Sequence, residues 1–167
     1  MSETSALPSG ASRARVEIDL GALRANVRTL RARARGAALM AVVKADAYGH
    51  GALPCARAAV EAGADWLGTA TPEEALALRR PDSGIPRHVR VMCWLWTPGG
   101  PWQEAVEADI DVSVGGMWAL REVVEAAAAA RRPARVQLKA DTGLGRGGCQ
   151  PGDDWCALVA ARAARRA

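Results

Sequence analysis

From Leu39 onward, short apolar runs alternate with stretches of helical periodicity, and this order restricts the fold more than any other feature of the 167 residues. Apolar runs of four to eight residues bounded by turn residues read as buried parallel strands, and parallel neighbours require crossover helices between them. Strands are predicted near 39–45, 66–70, 89–95, 110–114 and 135–141. The intervening helices are equally marked. Thr71, Pro72 and Glu74 spell a capping box with proline at the first helical position, ahead of ALALRR. MWALREVVEAAAAARR sets Met117, Leu120, Val124 and Ala127 on one stripe and stops before Pro133. A last helix from about Asp153 places Trp155, Leu158 and Val159 on one face.

Upstream, ARVEIDL predicts a short strand around Val16–Ile18. Leu20, Leu23, Val27 and Leu30 then recur at helical spacing behind Asp19 as cap. The expectation is an α/β fold, a partial (β/α)8 TIM-type barrel with about five βα units, since a complete barrel takes roughly 250 residues. Residues 1–14 read as a disordered leader, 15–36 as the first strand and helix, and 37–167 as an incomplete barrel cut in mid-repeat.

A formal charge of +4 comes from 22 basic and 18 acidic residues. The arginines are spread along helices, with no tract of alternating basic and aromatic positions, so nucleic acid is not an expected partner. Cys55, Cys93, Cys149 and Cys156 form no CxxC pair and no metal-ligand spacing with His50 or His88, so no metal is expected and the thiols read as reduced. The first residues lack an apolar signal core, and no stretch approaches the roughly 20 apolar residues of a membrane span. A cytoplasmic protein without a membrane partner is the expectation.

Only two lysines occur, Lys44 and Lys139, each in a Lys-Ala-Asp tripeptide after an apolar run. Each therefore sits near the carboxyl end of a predicted strand, where barrel and open α/β enzymes keep their chemistry. A partly desolvated lysine there can add to an aldehyde, while a lysine that merely snorkels to solvent would look the same. Tyr48, the sole tyrosine, follows in a turn before a helix. Its hydroxyl reads either as a phosphate ligand near a helix amino terminus or as a solvated rim group. His50 reads as a general base or as a hydrogen-bonded turn residue. In LKADTGLGRGG, a glycine-rich loop delivers Arg146 to the same face. Its fork suits a carboxylate or phenolate, unless the loop is only a flexible turn.

VVKADAYGHG, with EIDLGALRANV upstream, ATPEEALALR in the middle and LKADTGLGRGG downstream, resembles the amino-terminal part of the alanine racemases, pyridoxal-phosphate enzymes of the fold-type III barrel. The likeness runs from about residue 15 to 167, and KADAYGHG is its most specific segment. It implies that Lys44 carries pyridoxal 5'-phosphate and acts as the base on one face of alanine. It further implies that Tyr48 bonds the cofactor phosphate and that Arg146 lies beside the phenolic oxygen and the substrate carboxylate. Lys139 matches a lysine carbamylated in several members to orient that arginine. The implied activity interconverts L- and D-alanine and supplies D-alanine for peptidoglycan, in a homodimer.

The second base of such a reaction is, by the same resemblance, a tyrosine in a carboxyl-terminal β-domain of the partner subunit. No tyrosine besides Tyr48 is present in this sequence, and residues 16–18 would belong to that domain. A truncated racemase is thus expected. The alternatives are a single-domain fold-type III cofactor-binding protein and a non-catalytic remnant.

Overall fold

The computed structural model describes residues 16–164. Five parallel strands follow in sequence order, β1 (Met40–Val42), β2 (Trp66–Thr69), β3 (Arg90–Cys93), β4 (Ile110–Val114) and β5 (Val136–Leu138). Between and around them lie α1 (Leu20–Arg33), the single turn α2 (Lys44–Gly49), α3 (Ala52–Glu61), α4 (Pro72–Arg79), α5 (Trp102–Glu107), α6 (Met117–Ala130) and α7 (Asp153–Ala163). The sheet is the curved half of a βα barrel. The five strands predicted from Leu39 onward are present, though β1, β3 and β5 are shorter than their apolar runs. β1 and β5 each have a ladder on one side only, so pairing lapses sooner than hydrophobicity does.

Register assigns the two sheet faces. Leu67, Val91, Ile110, Val112 and Val114 are all fully buried beneath the helices, and they form the centre of the core. Burying a side chain of this size contributes about 1.5–3 kcal/mol. The opposite face carries Met40, Trp66, Gly68, Arg90, Met92, Asp111, Ser113 and Gln137, and is the barrel interior. Gly68 suits that face, because a larger residue would displace its neighbours. A Cβ would stand 2.8 Å from Met40 Sδ and 2.9 Å from the Trp94 ring.

The caps read in the sequence form as expected. Thr71 and Glu74 make the reciprocal capping box of α4, and Asp19 Oδ1 accepts from Ala22 N at 2.9 Å. Three expectations fail. Residues 16–19 carry no strand, because no described strand runs beside them to supply a ladder; Val16 is 85% exposed. The buried stripe of α6 is Ala119, Leu120, Val123 and Ala126, with Met117, Val124 and Ala127 at its margin, since the helix packs against α5 as well as β4. Val159 is exposed while Leu158 is fully buried, as α7 packs on α6 and no described element covers its outer side. The leader 1–14 lies outside the described residues.

Candidate active site

All the residues singled out by the sequence lie on loops at the carboxyl ends of the strands, and those loops are built in different ways. β1 ends at Val42, so Lys44 does not extend the strand but begins α2. Ala45, Asp46, Ala47 and Tyr48 have φ of 51° to 57° and ψ of 36° to 51°, a left-handed turn made without glycine. Such a conformation costs roughly 1–2 kcal/mol per residue for L-amino acids, so the surrounding structure must hold it. It does so through hydrogen bonds. Ala47 N donates to Val43 O at 2.9 Å, Gly51 N to Asp46 O at 2.9 Å, and Ala45 N to Glu74 Oε1 at 2.7 Å. Asp46 Oδ1 accepts from Ala52 N at 2.6 Å and thereby caps α3.

The turn brings Lys44 and Tyr48 together, with the ammonium 4.9 Å from the ring centroid, a cation–π distance. The Tyr48 hydroxyl bonds no described residue, and its side chain is 59% exposed. The first amide of α3 is already taken by Asp46, so that helix terminus offers Tyr48 less help with an anion than the sequence suggests. His50 belongs to the scaffold. Its Nδ1 donates to Ala47 O at 2.8 Å, and its backbone closes the same turn, so the general-base reading has no support.

The second group lies across β3, β4 and β5. Lys139 follows β5 on the interior face, and its Nζ donates to Gly147 O. With Arg146, Gly148 and the rings of Trp94, Trp96 and Trp118 it lines a pocket of about 270 Å³. Arg146 has no described hydrogen-bond or ion-pair partner. The loop bearing it is fixed by Asp141, a residue that sequence reasoning passed over. Asp141 Oδ1 accepts from Gly143 N at 3.0 Å and Gly145 N at 3.1 Å, and Oδ2 accepts from Gln150 Nε2 at 3.1 Å. The Gly143 amide, followed by that of Gly145, holds the Asp141 carboxyl below its ordinary pKa.

Two glycines complete the seat. A Cβ on Gly115 would stand 2.7 Å from Gly148 Cα, and one on Gly148 would stand 2.8 Å from Asp141 N. Backbone therefore packs on backbone where the loop crosses the end of β4. Trp96, stacked on Trp102 at 3.5 Å and edge-on to Trp118 at 5.9 Å, makes the wall rigid. The six tryptophans gave no clear signal of this in the sequence, because they meet only through the curvature of the sheet.

Among the described residues no group of three or more His, Cys, Asp or Glu side chains could hold a metal ion, and no helix is long and apolar enough to cross a membrane. Cys93 is buried beneath the sheet, where desolvation pushes its thiol up to about 12, well out of nucleophilic range.

A parallel barrel sheet with its cationic and phenolic side chains gathered at the strands' carboxyl ends defines a barrel enzyme segment, of the class that keeps its chemistry on βα loops. The chain belongs to the family described as alanine racemase, N-terminal domain, whose sequence model matches residues 18–167. It is 74% identical over 163 residues to the alanine racemase of Streptomyces coelicolor, which is 96% of this chain and 42% of that protein. The solved alanine racemase from Streptomyces coelicolor A3(2) superposes with a TM-score of 0.85 at 75% identity, over 89% of this chain and 39% of that one. An alanine racemase from Bartonella henselae with covalently bound pyridoxal phosphate superposes at 0.74 and 26% identity, over 86% of this chain and 39% of that one. The chain thus spans about two fifths of the length of the relatives it matches.

Proposed function

We propose that this chain forms the cofactor-bearing part of an alanine racemase, a cytoplasmic homodimeric enzyme that provides D-alanine for peptidoglycan. The observation that carries the reading is the charge imbalance at the strand ends. Lys44 and Arg146 form no described ion pair, while Asp46, Glu74 and Asp141 are bonded to backbone amides. A donor-rich surface with its carboxylates occupied fits a phosphorylated aldehyde, whose phosphate and phenolate are both anionic.

In this reading Lys44 Nζ is the covalent anchor of pyridoxal phosphate, the Tyr48 hydroxyl donates to its phosphate, and Arg146 meets the phenolate and the substrate carboxylate. The cofactor, when bound, supplies the electron sink that makes the α-proton of an amino acid removable near neutral pH. Lys44 Nζ, once the substrate amine has displaced it, would be free to take or return that proton on one face of the α-carbon. The Arg146 fork orients the carboxylate so that the α-carbon faces Lys44. Lys139, through its bond to Gly147 O, holds the residue next to Arg146, and carbamylation of its amine would turn it into an acceptor for that arginine. Inversion requires a second base on the other face, for which a tyrosine of the partner subunit is the candidate.

The test uses the 167-residue chain incubated with pyridoxal phosphate, reduced with borohydride and digested. A pyridoxyl mass is expected on the Lys44 peptide. Finding it on Lys139, or on neither lysine, would overturn the proposal.

A further inference from the structure

The carboxylate of Glu74 serves two loops at once. Its Oε2 accepts from Ala70 N at 2.8 Å and Thr71 N at 3.3 Å, which is the return arm of the α4 capping box. Its Oε1 reaches across to the neighbouring loop and accepts from Ala45 N at 2.7 Å. A capping box needs only the first arm. The second arm ends on the residue next to Lys44, at the start of the left-handed turn, where an amide has no partner within its own turn.

That location is where control of Lys44 matters. Four successive left-handed residues follow it directly, and a turn under strain holds only while its surroundings over-determine it. The turn's hydrogen bonds from Ala47 N and Gly51 N act downstream of Ala45. Glu74 acts at its first peptide, and it does so from α4, whose amino end is fixed to β2. A cavity of about 210 Å³ lies between Val43, Asp46 and Thr69 on one side and Ala77 and Leu78 of α4 on the other, with Glu74 in its wall. Val43 N, bonded to Gly68 O at 2.8 Å, ties the loop to β2 before Lys44, and the Glu74 bond ties it to α4 just after Lys44.

We propose that Glu74 is a positioning residue for Lys44, tying the peptide after the lysine to the amino end of α4 and so fixing where the amine stands. The inference rests on the assignment of Lys44 as the cofactor anchor. It would explain why the chain uses glutamate here, since one carboxylate must accept from three amides on two loops. Glutamine has a single acceptor oxygen and can serve one loop or the other, and aspartate is one methylene too short to span both.

Glu74→Gln, Glu74→Asp and Thr71→Ala separate this role from helix capping. Thr71→Ala removes the other arm of the box and leaves the Ala45 bond. All three variants should lower the thermal midpoint by a few degrees. Only the Glu74 variants should weaken pyridoxal phosphate binding at Lys44, by about tenfold or more, as loss of a charge-assisted hydrogen bond implies. They should also change the trinitrophenylation rate of Lys44 relative to Lys139, which is the internal control and is measured without cofactor. If Glu74→Gln fails to fold, Glu74→Asp carries the comparison. Cofactor affinity and lysine ratio in the Glu74 variants equal to those in Thr71→Ala would overturn the proposal. A wild-type chain with no pyridoxyl mass on Lys44 would instead sink the anchor assignment, and the lysine ratio would still decide whether Glu74 positions the amine.

Discussion

The two ends of the same parallel sheet treat charge in opposite ways. At the amino ends, Asp111, buried in the barrel interior, accepts from Arg90 Nε at 3.3 Å and from Arg135 Nη2 at 3.0 Å. Arg135 and Arg132 also bridge to Asp109, and the Arg90 guanidinium stacks 4.0 Å from the Trp66 ring centroid. Arg90, Arg132 and Arg135 each have a carboxylate there, while the buried Arg79 beside them donates only to Asp109 O at 3.4 Å. At the carboxyl ends, Lys44 and Arg146 have none, and the nearby carboxylates serve the backbone. The lesson is that the arginines paired with carboxylates at one end hold the fold together, whereas Lys44 and Arg146 at the other end remain available to a ligand.

This contrast can be broken from either side, and the largest effect on folding should come from the paired end. Asp111→Ala leaves Arg90 without its carboxylate and Arg135 with Asp109 alone. Because both arginines are partly exposed and can rehydrate, about 2–3 kcal/mol of stability should be lost rather than the full 3–5 of a wholly buried pair. Urea unfolding reads this directly. A loss under about 0.5 kcal/mol, the range of an ordinary surface change, would show that the network is decorative.

At the other end the comparable cost is steric. Gly148→Ala combines a φ of 123° with a Cβ 2.8 Å from the Asp141 amide, and should cost about 1–3 kcal/mol. The Arg146 loop should then become the first site cut in limited proteolysis. An unchanged digestion pattern would mean that the loop is not seated through Gly148.

A smaller effect should follow from pH. The folded-state pKa of Asp141 is depressed below that of the unfolded chain, so its contribution is complete above the ordinary carboxylate value of about 3.9 and disappears as pH falls through the lower folded value. Amide exchange at Gly143 and Gly145 should be slow near pH 5 relative to intrinsic rates and should lose protection at acid pH. Asp141→Asn should remove that pH dependence. Protection that persists equally in both proteins at low pH would refute the assignment of Asp141 as the loop's organiser.

The smallest change in stability should accompany the largest change in chemistry. Lys44→Ala removes a partly buried cation with no ion pair, whose one described contact is the Tyr48 ring, and should shift stability by no more than about 0.5–1 kcal/mol. It should nonetheless abolish borohydride-stable labelling by pyridoxal phosphate. A large destabilisation would show that Lys44 belongs to the structural set after all.

The sequence made much of this legible because its signals were local. Thr71, Pro72 and Glu74 form their capping box within four residues, Asp19 caps α1 three residues away, and the apolar runs that became β2 and β4 carry their own burial. Lys44, Tyr48, Lys139 and Arg146 were identifiable by residue type, position and resemblance. The errors arose where a partner decided the outcome. Residues 16–18 have strand composition but no neighbouring ladder, Val159 has an apolar side chain but no covering element, and the α6 stripe is shifted by packing on α5.

What the sequence determined by itself was the order of elements, the caps and the identity of the chemical groups, since periodicity and short-range hydrogen bonds are written along the chain. The tertiary structure alone decided the left-handed turn under Lys44, the pairing of Asp109 and Asp111 with arginines 21 to 26 residues away, and the second arm of Glu74, 29 residues from Ala45. Each depends on backbone amides or charges becoming neighbours only after the sheet has curved, and the energy of such a contact has no counterpart in local sequence.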